Sequence, residues 1–456
     1  MPFLHSTLIL ITTTLVLTSF IQTGNYFAYA AYTKATPSAG GPTINDPKLK
    51  AEVVFTGLRL PTSMAFLGPN DILVLQKDYG TVQRIVDGRM LPQPLLHVNV
   101  GQQVEWGMLG IAIAKHNNED SHGHRTTNYV FLYYTEPESN NSGEQGAEAG
   151  GVTEEGNTQS MVNHLYRYEL VDNQLINPKL LLILPATSPD PVPPGENNHV
   201  GGKVVIGPDS NVYVGIGDVG GHAGQAQNVK DGIPLDGTSG ILRVTQDGDA
   251  VIPNSPLGND TDPTLNKYYA YGIRNTFGMD FDPVTGKLWD TENGAFCCDE
   301  INLVEPGFNS GWQQVQGIWQ VHGSSLGPIF QSPDNLVDFG GNGKYRSPEF
   351  TWLQTDGPTA LKFLNSDKLG KQYEDSMFVG DVNTGNLFNF KLDEERTGLD
   401  LAGPLSDKIA NTPEELQDNI FGSGFGVITD IQVGPDDGYL YVLTYSGTIY
   451  RIVPSS

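Results

Sequence analysis

A histidine in a turn-rich stretch is the first residue of this sequence that could carry out chemistry. The stretch GENNHVGGKVVIGPDSNVYVGIGDVG, residues 195–220, places His199 before two short apolar runs that the turn GPDSN separates. An imidazole has a pKa near neutral pH, so a histidine here could act as a general base. The alternative is that His199 is a hydrogen-bonded side chain at a strand entrance, without a chemical role.

A glycine motif follows the same histidine but does not predict a nucleotide site. Gly215, Gly217 and Gly220 spell GxGxxG after the apolar run VYVGI. A dinucleotide-binding loop must open an apolar helix within a βαβ unit, and the following residues GHAGQAQN do not form such a pattern. We therefore interpret these glycines as parts of turns between strands.

The two cysteines of the chain, Cys297 and Cys298, are direct neighbours. In an oxidising compartment, adjacent thiols can close a strained eight-membered ring. The alternative is a pair of free, packed thiols. The residues themselves leave both alternatives open.

The composition indicates which elements must position these groups. The chain has 456 residues, 38% of them hydrophobic, which is enough to bury a large core. It contains 54 Gly and 30 Pro, whereas charged residues make up only 17%. Frequent turn residues and few charges argue against long solvated helices and favour an all-β chain built from repeats.

One pattern recurs along the sequence: an apolar strand, a turn of Gly, Pro, Asp or Asn, and a second apolar strand. Clear examples are PTSMAFLGPNDILVLQKDYGTVQRIV, GKVVIGPDSNVYVGIGD, FGMDFDPVTGKLWDTENG and ITDIQVGPDDGYLYVLTYSGTIYRIV. Six such units predict a six-bladed β-propeller of four-stranded antiparallel blades over residues 51–456, with ligands at the central channel. We expect the last unit to take a strand from the start of the chain.

The charge balance excludes one class of partner. Lys and Arg total 26 against 52 Asp and Glu, which gives a formal net charge of −26. Such a surface repels phosphate backbones, so we expect no nucleic-acid partner. It also concentrates hard cations, so calcium sites are plausible, although a solvated acidic surface explains the same charge. We expect a monomer or dimer.

The N-terminus resembles a secretory signal. An apolar stretch runs from about residue 8 to residue 21, and AYA at residues 28–30 fits a cleavage site. We predict a signal peptide over residues 1–30, a linker over 31–50 and an exported protein. Since no Lys or Arg precedes the apolar stretch, an uncleaved anchor is the alternative, although fourteen residues are short for a membrane span.

Four ordered motifs carry a family resemblance: EWGMLGIA, NHVGGKVVIGPD, YGIRNTFGMDFDPVTGKLWDTENG and DEINLVEPGFNSGW. Together they resemble the soluble aldose sugar dehydrogenases, also called the glucose/sorbosone dehydrogenase family, over roughly residues 50–455. The resemblance implies a six-bladed propeller that oxidises the anomeric carbon of aldose sugars with pyrroloquinoline quinone and calcium. The sequence does not name the electron acceptor.

The resemblance also implies roles for individual residues. His199 falls at the general base, and Arg274 falls beside the quinone oxygen, where a cation stabilises developing negative charge. Cofactor contacts are implied for Asn198, Asn275, Asn293 and Gly294. The carbonyls of Gly294 and Ala295 align with ligands of the catalytic calcium, a Lewis acid. Asp299 and Glu300 fit a second calcium, with a strand-capping turn as the alternative.

Several positions depart from the family pattern. Asn383 stands where a Lys is expected to hold a quinone carboxylate, and Val427 and Thr429 stand where two Arg are expected. Val219 replaces a glutamine. Charge-assisted hydrogen bonds are the strong ones, so this route to cofactor binding should be weakened. Either other residues hold the quinone, such as Lys344 or Arg346, or the quinone is not bound.

Two hypotheses of different classes follow. The first is an exported quinoprotein oxidoreductase acting on aldoses. The second is a non-catalytic propeller that binds a glycan or a protein partner at the channel mouth. Retention of the base and its arginine favours the enzyme, whereas loss of the carboxylate clamps favours the binding module.

Overall fold

The computed structural model describes residues 34–120, 123–138, 160–188, 198–220, 227–258, 261–295, 297–318 and 332–455, and within 116–126 only the strand backbone. The predicted signal peptide, residues 1–30, lies outside the described residues. The strands are numbered in chain order: β1 Thr43–Ile44, β2 Leu49–Thr56, β3 Pro61–Gly68, β4 Asp71–Gln76, β5 Thr81–Val86, β6 Arg89–Met90, β7 Leu96–His97, β8 Met108–Asp120, β9 Gly123–Pro137, β10 Met161–Val171, β11 Gln174–Pro185, β12 Val204–Ile206, β13 Val212–Ile216, β14 Gly240–Val244, β15 Tyr268–Tyr271, β16 Thr276–Phe281, β17 Leu288–Glu292, β18 Asp299–Val304, β19 Phe308–Asn309, β20 Lys344–Tyr345, β21 Phe350–Trp352, β22 Pro358–Phe363, β23 Met377–Asp381, β24 Leu387–Phe390, β25 Ile409–Ala410, β26 Ile420–Ser423, β27 Ile428–Val433, β28 Leu440–Thr444 and β29 Thr448–Pro454.

Short 3-10 helices occur in the connections. Their bounds are Leu265–Lys267, Pro333–Asn335, Phe339–Gly341, Lys371–Tyr373, Gly403–Asp407 and Pro413–Asn419. No helix in the described part of the chain is long and apolar enough to cross a membrane. The prediction of an all-β chain is confirmed.

The described strands form six sheets. In chain order of their first strands they are sheet 1 (β3-β4-β5-β6, with β7 on β5), sheet 2 (β8-β9-β10-β11), sheet 3 (β12-β13-β14-β15-β19-β20), sheet 4 (β16-β17-β18-β21-β25), sheet 5 (β22-β23-β24-β26-β1) and sheet 6 (β27-β28-β29-β2). The first strands contact one another in the cyclic order β3, β8, β12, β16, β22, β27 and back to β3. This cyclic order makes the fold a propeller with an inner ring of first strands.

The prediction of uniform four-stranded antiparallel blades was wrong for four sheets. Sheet 3 has six strands, and sheets 1, 4 and 5 have five. Three of the added pairings, β15 with β19, β19 with β20, and β21 with β25, are parallel. The long connections within sheets 4 and 5 return to the outer edge of the preceding sheet and pair there, which covers exposed backbone groups.

The strand taken from the chain's start is confirmed. β2 pairs antiparallel with β29 along Leu49 to Thr56, so the N-terminal and C-terminal strands share sheet 6. β1 pairs with β26 in sheet 5. Residues 34–50, predicted as part of a linker, therefore include sheet strands.

The hydrophobic core lies between neighbouring sheets. One cluster packs Phe131 of sheet 2 against Val214 of sheet 3, and another packs Met64 of sheet 1 against Leu443 of sheet 6. Burying one such side chain contributes about 1.5–3 kcal/mol relative to leaving it exposed. Because each sheet buries both of its faces, strands such as β13 (VYVGI) and β28 (LYVLT) are buried at every position.

The recurring turn of the sequence joins the first and second strands of a sheet. In GPDSN, the Asp209 carboxylate accepts a hydrogen bond from the amide of Asn211, and in GPDDG the Asp437 carboxylate accepts one from the amide of Tyr439. In DPVTG, Asp282 accepts from the amide of Val284 in the same way. The aspartates satisfy turn amides, which explains why this residue type recurs.

Candidate functional site

The candidate residues gather at one end of the sheets. At this end each first strand begins opposite the end of its second strand, as shown by the pairs Thr276 with Glu292, Pro358 with Asp381, and Ile428 with Thr444. We call this end the site face. Residues just before a first strand or just after a second strand therefore lie on it, although they are far apart in sequence.

His199 is fixed by an aspartate on the site face. Its Nδ1 lies 2.5 Å from Oδ1 of Asp218, and the Asp218 carboxylate is buried. His199 has a φ of 57°, in the left-handed region, and its carbonyl accepts the amide of Val219 at 3.2 Å. The Asp218 carboxylate accepts the Nδ1 proton, so the lone pair of the neutral imidazole lies on Nε2. Sequence reasoning missed Asp218, although an aspartate directly after the buried strand β13 was a usable signal.

Trp312 joins the histidine to the arginine. Its indole Nε1 donates to Oδ2 of Asp218 at 2.8 Å, and its ring lies 5.4 Å from the guanidinium carbon of Arg274. The indole is almost fully buried. One side chain therefore supports both Asp218 and Arg274. Trp312 ends the motif DEINLVEPGFNSGW, but the sequence analysis assigned it no role.

Arg274 connects sheets 3 and 4. Its backbone amide donates to Oε1 of Glu292 at 2.6 Å, and its Nη1 donates to the carbonyls of Asn293 and Gly294, both at 2.9 Å. The Nε of Arg274 is buried without a hydrogen-bond partner in the described structure. Arg274 therefore retains an unused donor next to His199.

A glycine permits this close approach. A Cβ built on Gly217 would lie 2.5 Å from the carbonyl oxygens of both His199 and Arg274, and 2.8 Å from Oδ1 of Asn275. The loops that carry the base and the arginine therefore close on this glycine backbone. This close packing explains the central glycine of the GxGxxG pattern.

The implied cofactor contacts also lie on the site face. Asn275 accepts the amide of Gly201 at 3.2 Å and donates to Glu105 at 3.4 Å. Asn293 donates to the carbonyl of Pro358 at 3.1 Å. Asn198 directly precedes His199, and its Oδ1 is buried without a hydrogen-bond partner among the described residues. The structure thus brings all of these residues to the region around His199 and Arg274.

The loop from Gly294 to Glu300 is built around its own polar contacts. Cys297 and Cys298 form a disulfide, so the free-thiol alternative does not hold in this structure. The amide of Gly294 donates to Asp299 at 2.7 Å, and that of Ala295 donates to Gln316 at 3.4 Å. Asp299 therefore orders the loop through its backbone.

Asp299 and Glu300 lie within β18, where they accept backbone amides. The second oxygen of Asp299 accepts the amide of Gly357 at 2.8 Å, and Glu300 accepts the amide of Gly317 at 2.7 Å. Both carboxylates therefore have structural contacts, and they lie within a strand and not in the strand-capping turn that was the alternative to a calcium site. The described residues contain no group of three or more His, Cys, Asp or Glu side chains arranged to hold a metal ion.

Burial raises the pKa of several carboxyls at this end of the sheets. The pKa of Asp299 rises to about 6, that of Glu292 to about 7 and that of Asp381 to about 6, in each case chiefly through burial. Burial raises the pKa of Asp356 to about 8, with further contributions from the charges of Asp381 and Asp299. Partial protonation lowers the negative charge that these groups present to an anionic ligand.

The positions that depart from the family pattern lie on the site face too. Asn383 donates to the carbonyl of Thr355 at 3.1 Å, and Thr429 donates to that of Leu443 at 3.4 Å. Val219 is buried in the core between sheets 2 and 3, and the carbonyl of Val427 accepts the amide of Tyr445. These four side chains supply no positive charge.

The structure does not support Lys344 or Arg346 as replacements. Arg346 donates to Glu349 and to Glu305, which follows the far end of β18 from the site face. Lys344 is exposed, and β20 pairs with β19 on the outer edge of sheet 3. A cation held by two carboxylates away from the site face cannot bind a ligand there.

Unsatisfied buried atoms lie among the candidate residues of the site face. Buried atoms without a hydrogen-bond partner in the described structure include Asn198 Oδ1, Arg274 Nε, Asn293 Oδ1 and Asn383 Oδ1. A buried polar atom without a partner costs about 1–3 kcal/mol, so such atoms are explained when a ligand or ordered water contacts them. These four atoms lie at one end of the propeller, where a ligand with several polar groups would satisfy them.

This chain is similar to known proteins over most of its length. The family model for glucose/sorbosone dehydrogenase matches residues 58–451. The aldose sugar dehydrogenase YliI of Escherichia coli is 25% identical over 409 residues, which cover 89% of this chain and 93% of that protein.

Solved structures share the fold. A Thermus thermophilus oxidoreductase described as a glucose dehydrogenase superposes with a TM-score of 0.61 at 25% identity, covering 89% of this chain and all of that one. The PQQ-bound aldose sugar dehydrogenase of Streptomyces coelicolor superposes with a TM-score of 0.58 at 21% identity, covering 91% of this chain and all of that one. Since the family model spans nearly the whole described propeller, this chain belongs to the glucose/sorbosone dehydrogenase family.

Proposed function

We propose that this protein is a quinoprotein oxidoreductase that oxidises the anomeric carbon of aldose sugars to lactones. The contact between His199 and Asp218 is the observation that carries the proposal. A buried carboxylate 2.5 Å from Nδ1 leaves Nε2 as the proton acceptor and stabilises the imidazolium that forms. Family membership supports an oxidoreductase that acts on sugars.

The chain's own residues have separate tasks in this proposal. His199 takes the proton of the anomeric hydroxyl on Nε2, and Trp312 keeps Asp218 aligned with it. The unused Nε of Arg274 donates to an oxygen that becomes negatively charged. Pyrroloquinoline quinone, when bound, supplies the acceptor for the hydride that leaves the anomeric carbon.

The proposal assigns the cofactor contacts by the same reasoning. Asn198, Asn293 and Asn383 would hold polar atoms of the quinone, because each has a buried oxygen without a partner. The carbonyls of Gly294 and Ala295 would bind calcium, although in this structure Gly294 already accepts from Arg274. Calcium binding at Gly294 therefore requires this carbonyl to serve both cations or the arginine to turn away.

We also propose that the six sheets are the six blades of one propeller and that the protein acts outside the cytoplasm. The cyclic contacts of the first strands support the first point. The apolar N-terminal stretch and the disulfide between Cys297 and Cys298 support the second, because disulfides persist in oxidising compartments.

Titration calorimetry with pyrroloquinoline quinone, with and without calcium, tests the function directly. It is followed by dye-linked oxidation of a panel of aldoses. We expect calcium-dependent binding and sugar turnover. If the protein binds no quinone at high micromolar concentration, the oxidoreductase proposal is wrong. The binding of glycans or protein partners at the site face is then the function to test.

A further inference from the structure

The N-terminal segment of the described chain crosses the site face. The amide of Ala35 donates to the carbonyl of Val382 at 2.9 Å, and that of Ser38 donates to the carbonyl of Gly424 at 3.0 Å. A Cβ built on Gly385 would lie 3.1 Å from Cβ of Ala35. Residues 34–38 are therefore packed against the two loops that carry Asn383 and Val427.

This segment places a lysine beside those loops. The ammonium of Lys34 lies 5.1 Å from the ring centroid of Tyr445, whose amide donates to the carbonyl of Val427 at 2.9 Å. The amide of the next residue, Ala35, donates to the carbonyl of Val382, which directly precedes Asn383 in the chain. Lys34 thus lies between sheets 5 and 6 on the site face.

Lys34 differs from the other lysines near the inner ring in having no carboxylate partner. Lys77 forms an ion pair with Asp78 at 2.8 Å, and Lys203 forms one with Asp430 at 2.6 Å. No carboxylate of the described residues lies within ion-pair distance of the Lys34 ammonium.

The surroundings of the Lys34 ammonium leave it able to bind a ligand. The protein carries a formal net charge of −26, so carboxylates are abundant, yet Lys34 contacts an aromatic ring instead. A cation over an aromatic face keeps its hydrogen-bond donors for a ligand. Lys34 therefore adds positive charge to the site face beside sheets 5 and 6.

We propose that Lys34 binds a carboxylate of the ligand at the site face. The proposal rests on the proposed function, in which the carboxylate belongs to the quinone. A carboxylate of an acidic sugar has the same chemistry, and binding measurements distinguish the two sources. The N-terminal segment is then part of the binding site and not only an extension of the propeller.

The test compares three variants of the full chain with the wild type. Lys34→Met removes the charge, and Lys34→Arg keeps it. Lys50→Met removes the same charge from an exposed position on β2, the outermost strand of sheet 6. Calorimetry measures the Kd for pyrroloquinoline quinone at low and at physiological salt, and thermal unfolding confirms that the variants fold.

We expect Lys34→Met to weaken quinone binding about tenfold, because one charge-assisted hydrogen bond is lost. Lys34→Arg and Lys50→Met should bind as the wild type does. Added salt should weaken wild-type binding more than it weakens binding by Lys34→Met.

The outcomes separate the two proposals. If the wild type binds quinone and Lys34→Met binds it equally well, the KM values for glucose and glucuronate decide. A higher KM for glucuronate alone assigns the carboxylate to the sugar, and unchanged KM values overturn the role of Lys34. If the wild type binds no quinone, the proposed function fails together with this inference.

Discussion

Trp312 donates its indole proton to Asp218, and the other oxygen of the same carboxylate faces Nδ1 of His199. The three side chains come from three connections, and Trp312 and Asp218 are 94 residues apart in sequence. The position of the base therefore depends on contacts between distant segments of the chain, and not only on the local sequence around His199.

Trp312→Phe should lower kcat while leaving the fold intact. Phenylalanine keeps a ring beside Arg274 but cannot donate to Asp218, and the loss of one hydrogen bond to a charged group corresponds to about a tenfold slower reaction. Dye-linked turnover measures kcat, and calorimetry measures quinone binding, which should stay unchanged. An unchanged kcat would show that the indole only packs against its neighbours.

His199→Ala should abolish sugar oxidation without loss of quinone binding. The imidazole accepts a proton only during the reaction, so its removal costs transition-state stabilisation, typically a factor of about 10²–10⁴. Dye-linked turnover and calorimetry measure the two quantities. His97→Ala, at an exposed histidine on β7, is the matched control. Equal loss of binding and turnover in His199→Ala would assign the residue a structural role.

Asp356→Asn should make the protein more stable at alkaline pH. Burial, with the charges of Asp381 and Asp299, raises the pKa of Asp356 in the folded protein to about 8 from an ordinary value of 3.8. Between these values the folded protein retains a proton that the unfolded chain releases, so the free energy of unfolding falls as pH rises. The slope is at most about 1.4 kcal/mol per pH unit for one group.

Thermal unfolding at pH 5 and pH 8 measures this effect. The wild type should lose more stability than Asp356→Asn between the two pH values, whereas Asp436→Asn, at an exposed aspartate, should follow the wild type. Parallel pH profiles for the wild type and Asp356→Asn would contradict the raised pKa.

Lys203→Met should destabilise the propeller by about 3–5 kcal/mol, as is typical when one partner of a buried ion pair is removed. Lys203 precedes β12, and Asp430 lies on β27, so the pair joins sheets 3 and 6 with both side chains buried. Urea unfolding with an unchanged m value measures the loss. The double variant with Asp430→Asn should recover part of it, and a single-variant loss below about 1 kcal/mol would show that the pair is solvated.

The repeats predicted much of this molecule, since alternating apolar strands and Asp-containing turns are local signals. They indicated the all-β fold and the pairing of β2 with β29. The motif around His199 and Arg274 placed both residues at one site before any distance was known.

The partners of these residues could not be predicted, because each contact joins distant segments. Trp312 contacts Asp218 across 94 residues of sequence, and residues 34–38, predicted as part of a linker, reach the site face through backbone hydrogen bonds. The sequence also could not show that Arg346 is already held by carboxylates. Its ion pairs with Glu305 and Glu349 depend on where β18 ends, which the sequence does not show.

The pairing of β2 with β29 sets the order in which the molecule can assemble. Arg451 on β29 donates to Glu52 on β2, 399 residues away in the chain. During synthesis β2 stays without its partner β29 until nearly every other strand has left the ribosome. Closure of the ring of sheets is therefore a late event in folding, and the segment that carries Lys34 lies N-terminal to β2. A nascent chain can form most of its sheets early, but the site becomes complete only when its two ends meet.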